Sequence, residues 1–158
     1  MYIDPKIYPY IREKPEKKIS FTPEAGKYRA FLSDVDRMKE HNGEIVIRFC
    51  WELLSHPSEE YRYLVYRRYY RKSMGILGKD LFSWKGPKWR KLNKEEDSGI
   101  KKWQYLLSLI GERADIEIGI IEKNGKEFRS VLNVKKTGQM VDFSELSSMP
   151  EVEIAINQ

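Results

Sequence analysis

Between Glu44 and Leu54 the chain reads EIVIRFCWELL, and Ile45, Ile47, Phe49, Trp51 and Leu53 fill every second position. Successive side chains of a strand point to opposite faces, so these five share one face, and that face belongs in a core. Val46, Arg48, Cys50 and Glu52 then point the other way, which puts the Arg48 cation on the side available to a ligand. A period of two cannot be met by a helix, so this stretch commits its surroundings to a sheet.

The neighbouring segments extend the sheet. In Lys27 to Asp36, Tyr28, Ala30 and Leu32 alternate with Arg29, Phe31 and Ser33, the pattern of a first strand. A polar loop ending in Asn42-Gly43 supplies the turn into the second. Tyr61 to Arg71, with five Tyr and a Val, has the composition of a third. Tyr61, Tyr63, Val65, Arg67 and Tyr69 form one of its faces, and Arg62, Leu64, Tyr66, Arg68 and Tyr70 the other. The second face is assigned to ligand, although a one-residue bulge would exchange the two.

Met74 to Trp84 reads as a short helix with Leu77, Leu81 and Trp84 on one side, weakened by Gly75 and Gly78. WKGPKWRK, residues 84–91, follows as a basic, aromatic loop in which Gly86 and Pro87 oppose regular structure. Asn93 with Glu96 forms a capping box that predicts a helix start, and Gly111 a helix end. Ile100, Trp103, Leu106, Leu107 and Ile110 make the apolar stripe between them, which assigns Trp103 to the core. Two more strands, Asp115 to Glu122 and Lys126 to Lys135, flank Asn124-Gly125, a strong hairpin signal.

At the ends the pattern changes. Residues 1–22, punctuated by Pro5, Pro9 and Pro15, read as an extended arm that Ile3, Tyr8, Tyr10 and Ile11 could pin to this subunit or another, a route to a homo-oligomer. Residues 23–136 hold the domain. Residues 137–158 read as an acidic tail, with Asp142, Glu145, Glu151 and Glu153. A chain of 158 residues fits one domain with tails. Cys50 is the only cysteine and sits in an apolar run, so a buried inert thiol is expected. No signal-peptide pattern or membrane-length apolar run occurs, which leads to an expectation of a soluble, intracellular, cytoplasmic protein.

The charge is concentrated. Tyr61 to Lys91 carries ten Lys or Arg against the single acid Asp80, a net of +9, whereas the whole chain is +5. Eight aromatic residues are interleaved with those cations. Cations that follow a phosphate backbone, alternating with rings on which unpaired bases stack, are what single-stranded nucleic acid requires. An ordinary solvated face mixes both signs. With Arg48 of the preceding strand, the segment therefore nominates Arg62, Arg67, Arg68, Arg71, Lys72, Lys85, Lys88, Arg90 and Lys91 as phosphate-neutralising residues. It nominates Tyr66, Tyr70, Trp84 and Trp89 as stacking rings.

Three strands, a helix and two strands is the element order of the OB-fold, a five-stranded Greek-key barrel whose strands 2 and 3 bind single strands and oligosaccharides. The fold expected is thus mainly β with one or two helices, a five-stranded OB-fold-like barrel, with the basic segment on its third strand. GKYRAFLSDV, GEIVIRF and LIGERADIEIGIIEKNGKEFRSVLNV together resemble small phage- or mobile-element-encoded single-stranded-DNA-binding proteins of the OB type, over roughly residues 26–135. That resemblance implies a non-catalytic accessory of DNA replication or recombination, in the host cytoplasm if phage-encoded. It also implies an acidic tail that recruits replication or recombination proteins, although here the tail ends in IAINQ without an acidic tip.

Other chemistries find less support. Two His and one Cys are scattered without ligand spacing, so no metal or cofactor is expected, and no Gly-rich phosphate loop occurs. Asp34 and Asp36 form a D-x-D that could seed a nuclease metal site, but carboxylates at a strand end are usually solvated. His41 and His56 fall in polar loops. The alternative to single-stranded DNA (RNA is left open) is an interaction module, for instance in phage assembly, whose basic strip meets an acidic protein.

Overall fold

The period-two segments form strands. The computed structural model describes residues 17–40, 42–55, 58 and 60–138. Most of the expected arm, the tail beyond Gly138, and His41 and His56 lie outside the described residues. Six strands are present among those residues: β1 (Lys18–Ser20), β2 (Gly26–Lys39), β3 (Ile45–Leu53), β4 (Tyr61–Tyr70), β5 (Arg113–Lys123) and β6 (Lys126–Lys135). They form one sheet in the order β1-β4-β3-β2-β5-β6. Every pairing is antiparallel except β1 with β4. The arm expected at residues 1–22 therefore ends in a short edge strand.

β2 is the long strand that turns the sheet. Its first part, Gly26 to Phe31, pairs with β5, and its second, Ala30 to Lys39, pairs with β3. A register shift between Leu32 and Asp34 falls within the second, just past Ala30 and Phe31, which pair on both sides. Such a bulge bends a strand and sharpens its twist. The sheet consequently curls into a half-barrel, and β4 and β6 approach across its open side. The Arg67 guanidinium donates to the Val131 carbonyl across that seam. Without β1, the sheet order and the position of the helices are those of an OB-like barrel, and the protein is mainly β.

The helical connection holds one helix more than the two that the sequence pattern predicts. A 3-10 turn, Arg71–Ser73, leads into α1 (Met74–Lys85), then α2 (Lys88–Leu92) and α3 (Ser98–Ser108). α1 buries Leu77, Leu81 and Trp84, the side expected. The expected loop at residues 84–91 is mostly helix. Gly86, at φ 88°, ends α1, and Pro87 is the N-cap of α2, where its fixed φ and missing N–H cost nothing and its carbonyl accepts from the Lys91 N–H. Asn93 does not start a helix. It closes α2, its N–H donating to the Arg90 carbonyl, and α3 starts five residues later behind Asp97, which takes φ 53°. The expected stripe on α3 is only partly buried: Leu106 is enclosed, Trp103 is half-buried, and Ile100 is 63% exposed.

The core lies inside the curl. Phe49 and Trp51 of β3 and Val65 and Tyr69 of β4 pack against α1, with Trp51 and Trp84 edge-on at 5.0 Å. Each fully buried ring or branched side chain of this kind contributes about 1.5–3 kcal/mol. Cys50 is buried, as expected. Arg29 of β2 and Asp115 of β5 are cross-strand partners joined by a buried ion pair at 3.1 Å. Among the described residues no helix is long and apolar enough to cross a membrane.

Candidate nucleic-acid interface

Strand pairing decides which residues share a face. Arg48 stands opposite Arg68, Cys50 opposite Tyr66 and Val46 opposite Tyr70, while Trp51 faces Val65 and Ile47 faces Tyr69. The face carrying Arg48, Arg62, Tyr66, Arg68 and Tyr70 therefore points away from the core, as the sequence pattern predicts. It is not uniformly solvated, since Val46, Cys50 and Leu64 are buried on it.

Several cations of this face are already engaged. Arg48 pairs with Asp36 at 2.7 Å and lies over the Tyr66 ring at 4.3 Å. The Asp36 carboxylate, by its hydrogen bond, raises the Arg48 pKa further. Arg62 pairs with Glu52 at 2.5 Å. Tyr66 stacks on Phe21, with ring centroids 5.7 Å apart and planes at 18°. Burial raises its pKa, so it stays a neutral phenol at physiological pH. A base could reach Tyr66 only by displacing Phe21 or Arg48.

The freest groups lie toward the end of β4. Tyr70 is 39% exposed, and Arg68, Arg71 and Lys72 are exposed with no ion pair among the described residues. Beyond them Arg71 and Lys72 border a hollow of about 620 Å³ with Asn42, Gly43, Glu44 and Ile45 of the β2–β3 turn. At the other end of the face, Phe21, Tyr66, Arg68 and Phe128 line a groove of about 370 Å³ between β4 and β6.

Two nominated residues are corrected. Trp84 is 4% exposed, its indole N–H donates to the Arg113 carbonyl at 2.8 Å, and it cannot stack on a base. Arg67 belongs to the inward face of β4. It donates to Asp80 at 3.3 Å and to the Val131 carbonyl, so it closes the barrel seam and does not meet a strand. Lys85 is paired with Glu112 at 2.7 Å. Lys88, Arg90 and Lys91 are exposed on α2, away from the sheet face, with Lys88 near the Tyr105 ring and Arg90 on the Phe82 ring. Trp89 is half-buried and faces a separate cleft.

The pairing also accounts for the D-x-D motif. Asp36 is held by Arg48, Asp34 accepts from the Val35 N–H at 2.9 Å, and no metal-binding cluster of three side chains occurs among the described residues. Phe21 and Phe128 were not foreseen as neighbours of Tyr66 and Arg68. Each lies in a different part of the chain, and only closure of the sheet brings them together.

The class that fold and site define is an OB-like half-barrel with a basic, aromatic strip on the outer side of its second and third barrel strands. No protein-family model matches the chain, and no curated protein is significantly similar to it.

Proposed function

We propose that this protein binds single-stranded nucleic acid, foremost single-stranded DNA, without catalysis and with little sequence preference. The carrying observation is the cluster at the end of β4: Tyr70, Arg68, Arg71 and Lys72 are exposed together, and these cations have no ion pair among the described residues. Tyr70 offers a ring to an unpaired base, and the three cations offer charge to successive phosphates. An accessory role in replication or recombination is the setting that the sequence resemblance implies.

The test is fluorescence anisotropy of a labelled dT20 titrated with protein at low salt. Arg68→Ala/Arg71→Ala/Lys72→Ala is expected to weaken binding about tenfold or more at 50 mM salt. Tyr70→Ala is expected to cost about 1–3 kcal/mol. Unchanged affinity in the triple variant would overturn the assignment of this face. Absence of any binding by the native protein would favour the reading in which the strip meets an acidic protein.

A further inference from the structure

On the inner side of the β2–β3 hairpin, where α1, α2 and α3 meet it, lies a cleft of about 720 Å³. Ligand sites of a few hundred Å³ are typically apolar with a few placed polar groups. This one has Ile47, Met74 and the buried Leu106 at its base, and both Trp89 and Trp103 in its walls. Both indoles line the cleft, and the Trp89 ring is backed by Tyr105, with centroids 6.4 Å apart.

Its charge is one-sided. Arg37, Lys79, Arg90 and Lys102 line the cleft, and no carboxylate does among the described residues. Arg90 is partly committed, with its guanidinium 4.3 Å from the Phe82 ring centroid. Arg37, Lys79 and Lys102 make no ion pair among the described residues. The Lys102 ammonium lies 4.9 Å from the Trp89 ring centroid, which shows that this ring can be reached by a polar group. Gly75 and Gly99 leave open space where a side chain would stand.

We propose that this cleft is a nucleotide site that takes a base against Trp89 and Trp103 and its phosphate among Lys79, Lys102 and Arg37. A base entering would exchange the Lys102 contact on Trp89 for a stack and release the ammonium to the phosphate. Flat rings and unpaired cations are the two requirements of a nucleotide, and a purely apolar ligand would leave the cations unused. The nucleotide has two sources, a free mononucleotide or one residue of a bound strand. Ile45 lines both this cleft and the hollow beside Arg71 and Lys72, so a strand leaving the sheet face has a basic route to it. In that second form the inference rests on the function proposed above.

The four indole N–H signals of ¹⁵N-labelled protein test it, because Trp51 and Trp84 are buried in the core and serve as internal references. With dT20, Trp89 and Trp103 are expected to shift while Trp51 and Trp84 stay. Lys79→Glu/Lys102→Glu is expected to abolish those shifts and weaken dT20 binding about tenfold. Shifts with dTMP alone identify a free-nucleotide site, and shifts with dT20 only identify a residue of the strand. Binding of dT20 by anisotropy with Trp89 and Trp103 unmoved, and no response to dTMP, overturns the cleft and leaves the sheet face standing. A dTMP response without dT20 binding does the reverse. An equal response to inorganic phosphate or to oligoglutamate would overturn recognition of a nucleotide.

Discussion

Asp80 shows how a residue's role depends on the face it meets. It accepts the Tyr69 hydroxyl at 2.5 Å and the Arg67 Nε–H at 3.3 Å, so the one acid of the basic segment turns a cation and a phenol into structure. Burial first, and then the Asp80 charge, raises the Tyr69 pKa well above the ordinary 10.0. A proton held more tightly in the folded state stabilises it below the unfolded value and ceases to do so as pH rises through the folded one. The urea midpoint is therefore expected to fall above about pH 10, and Tyr69→Phe should flatten that alkaline loss. An unchanged alkaline limb in Tyr69→Phe would show that other groups control it. At the buried pair, Asp115→Asn leaves Arg29 without its counter-ion and is expected to cost about 3–5 kcal/mol by urea denaturation. Counting cations and rings along the segment assigns Arg67 and Trp84 to the interface, whereas both serve the barrel interior. Parity already told against both: Arg67 shares its face with Val65 and Tyr69, and Trp84 its side of α1 with Leu77 and Leu81.

Elements were legible where one local rule settled them. Strict alternation identified β3, and Asn124-Gly125 identified the β5–β6 hairpin. In that turn Asn124 takes φ 55° and Gly125 φ 74°, the left-handed pair of a type I′ turn. Gly125→Val places a β-branched residue there and is expected to cost at least about 1–2 kcal/mol, read from the thermal or urea midpoint. A cost below a few tenths would mean that the turn rearranges freely. The connection after β4 was less legible because its signals compete. Gly86-Pro87 reads as a break, yet it ends one helix and begins the next. Asn93 and Glu96 have the spacing of a capping box, but α2 already occupies the turn before them. The glycines of α1 read only as a weakness, whereas Gly75 and Gly78 line the cleft, and a β-carbon added at Gly78 would stand 3.6 Å from the Trp89 ring. That use depends on a contact between two helices, which no local window contains.

For the whole molecule the governing quantity is how many of the cations remain to meet a polyanion. A net of +9 over Tyr61 to Lys91 overstates it, since Arg62, Arg67 and Lys85 are paired with Glu52, Asp80 and Glu112. The sheet face offers Arg68, Arg71 and Lys72, and the cleft adds Lys79 and Lys102. Each phosphate neutralised on a single strand contributes about −0.7 to the slope of log K against log salt. Three contacts give a slope of about −2, and five give about −3.5. Native protein titrated with dT20 between 50 and 300 mM salt thus distinguishes a strand confined to the sheet face from one that continues over Arg71 and Lys72 into the cleft. Lys79→Ala/Lys102→Ala should lower the magnitude of the steeper slope by about 1.4 and leave a shallow one unchanged. A slope far beyond −3.5 would draw in further cations unpaired among the described residues, first Arg37 in the cleft and then Lys88, Arg90 and Lys91 on α2, before the ion pairs of Arg48 and Arg62 had to open.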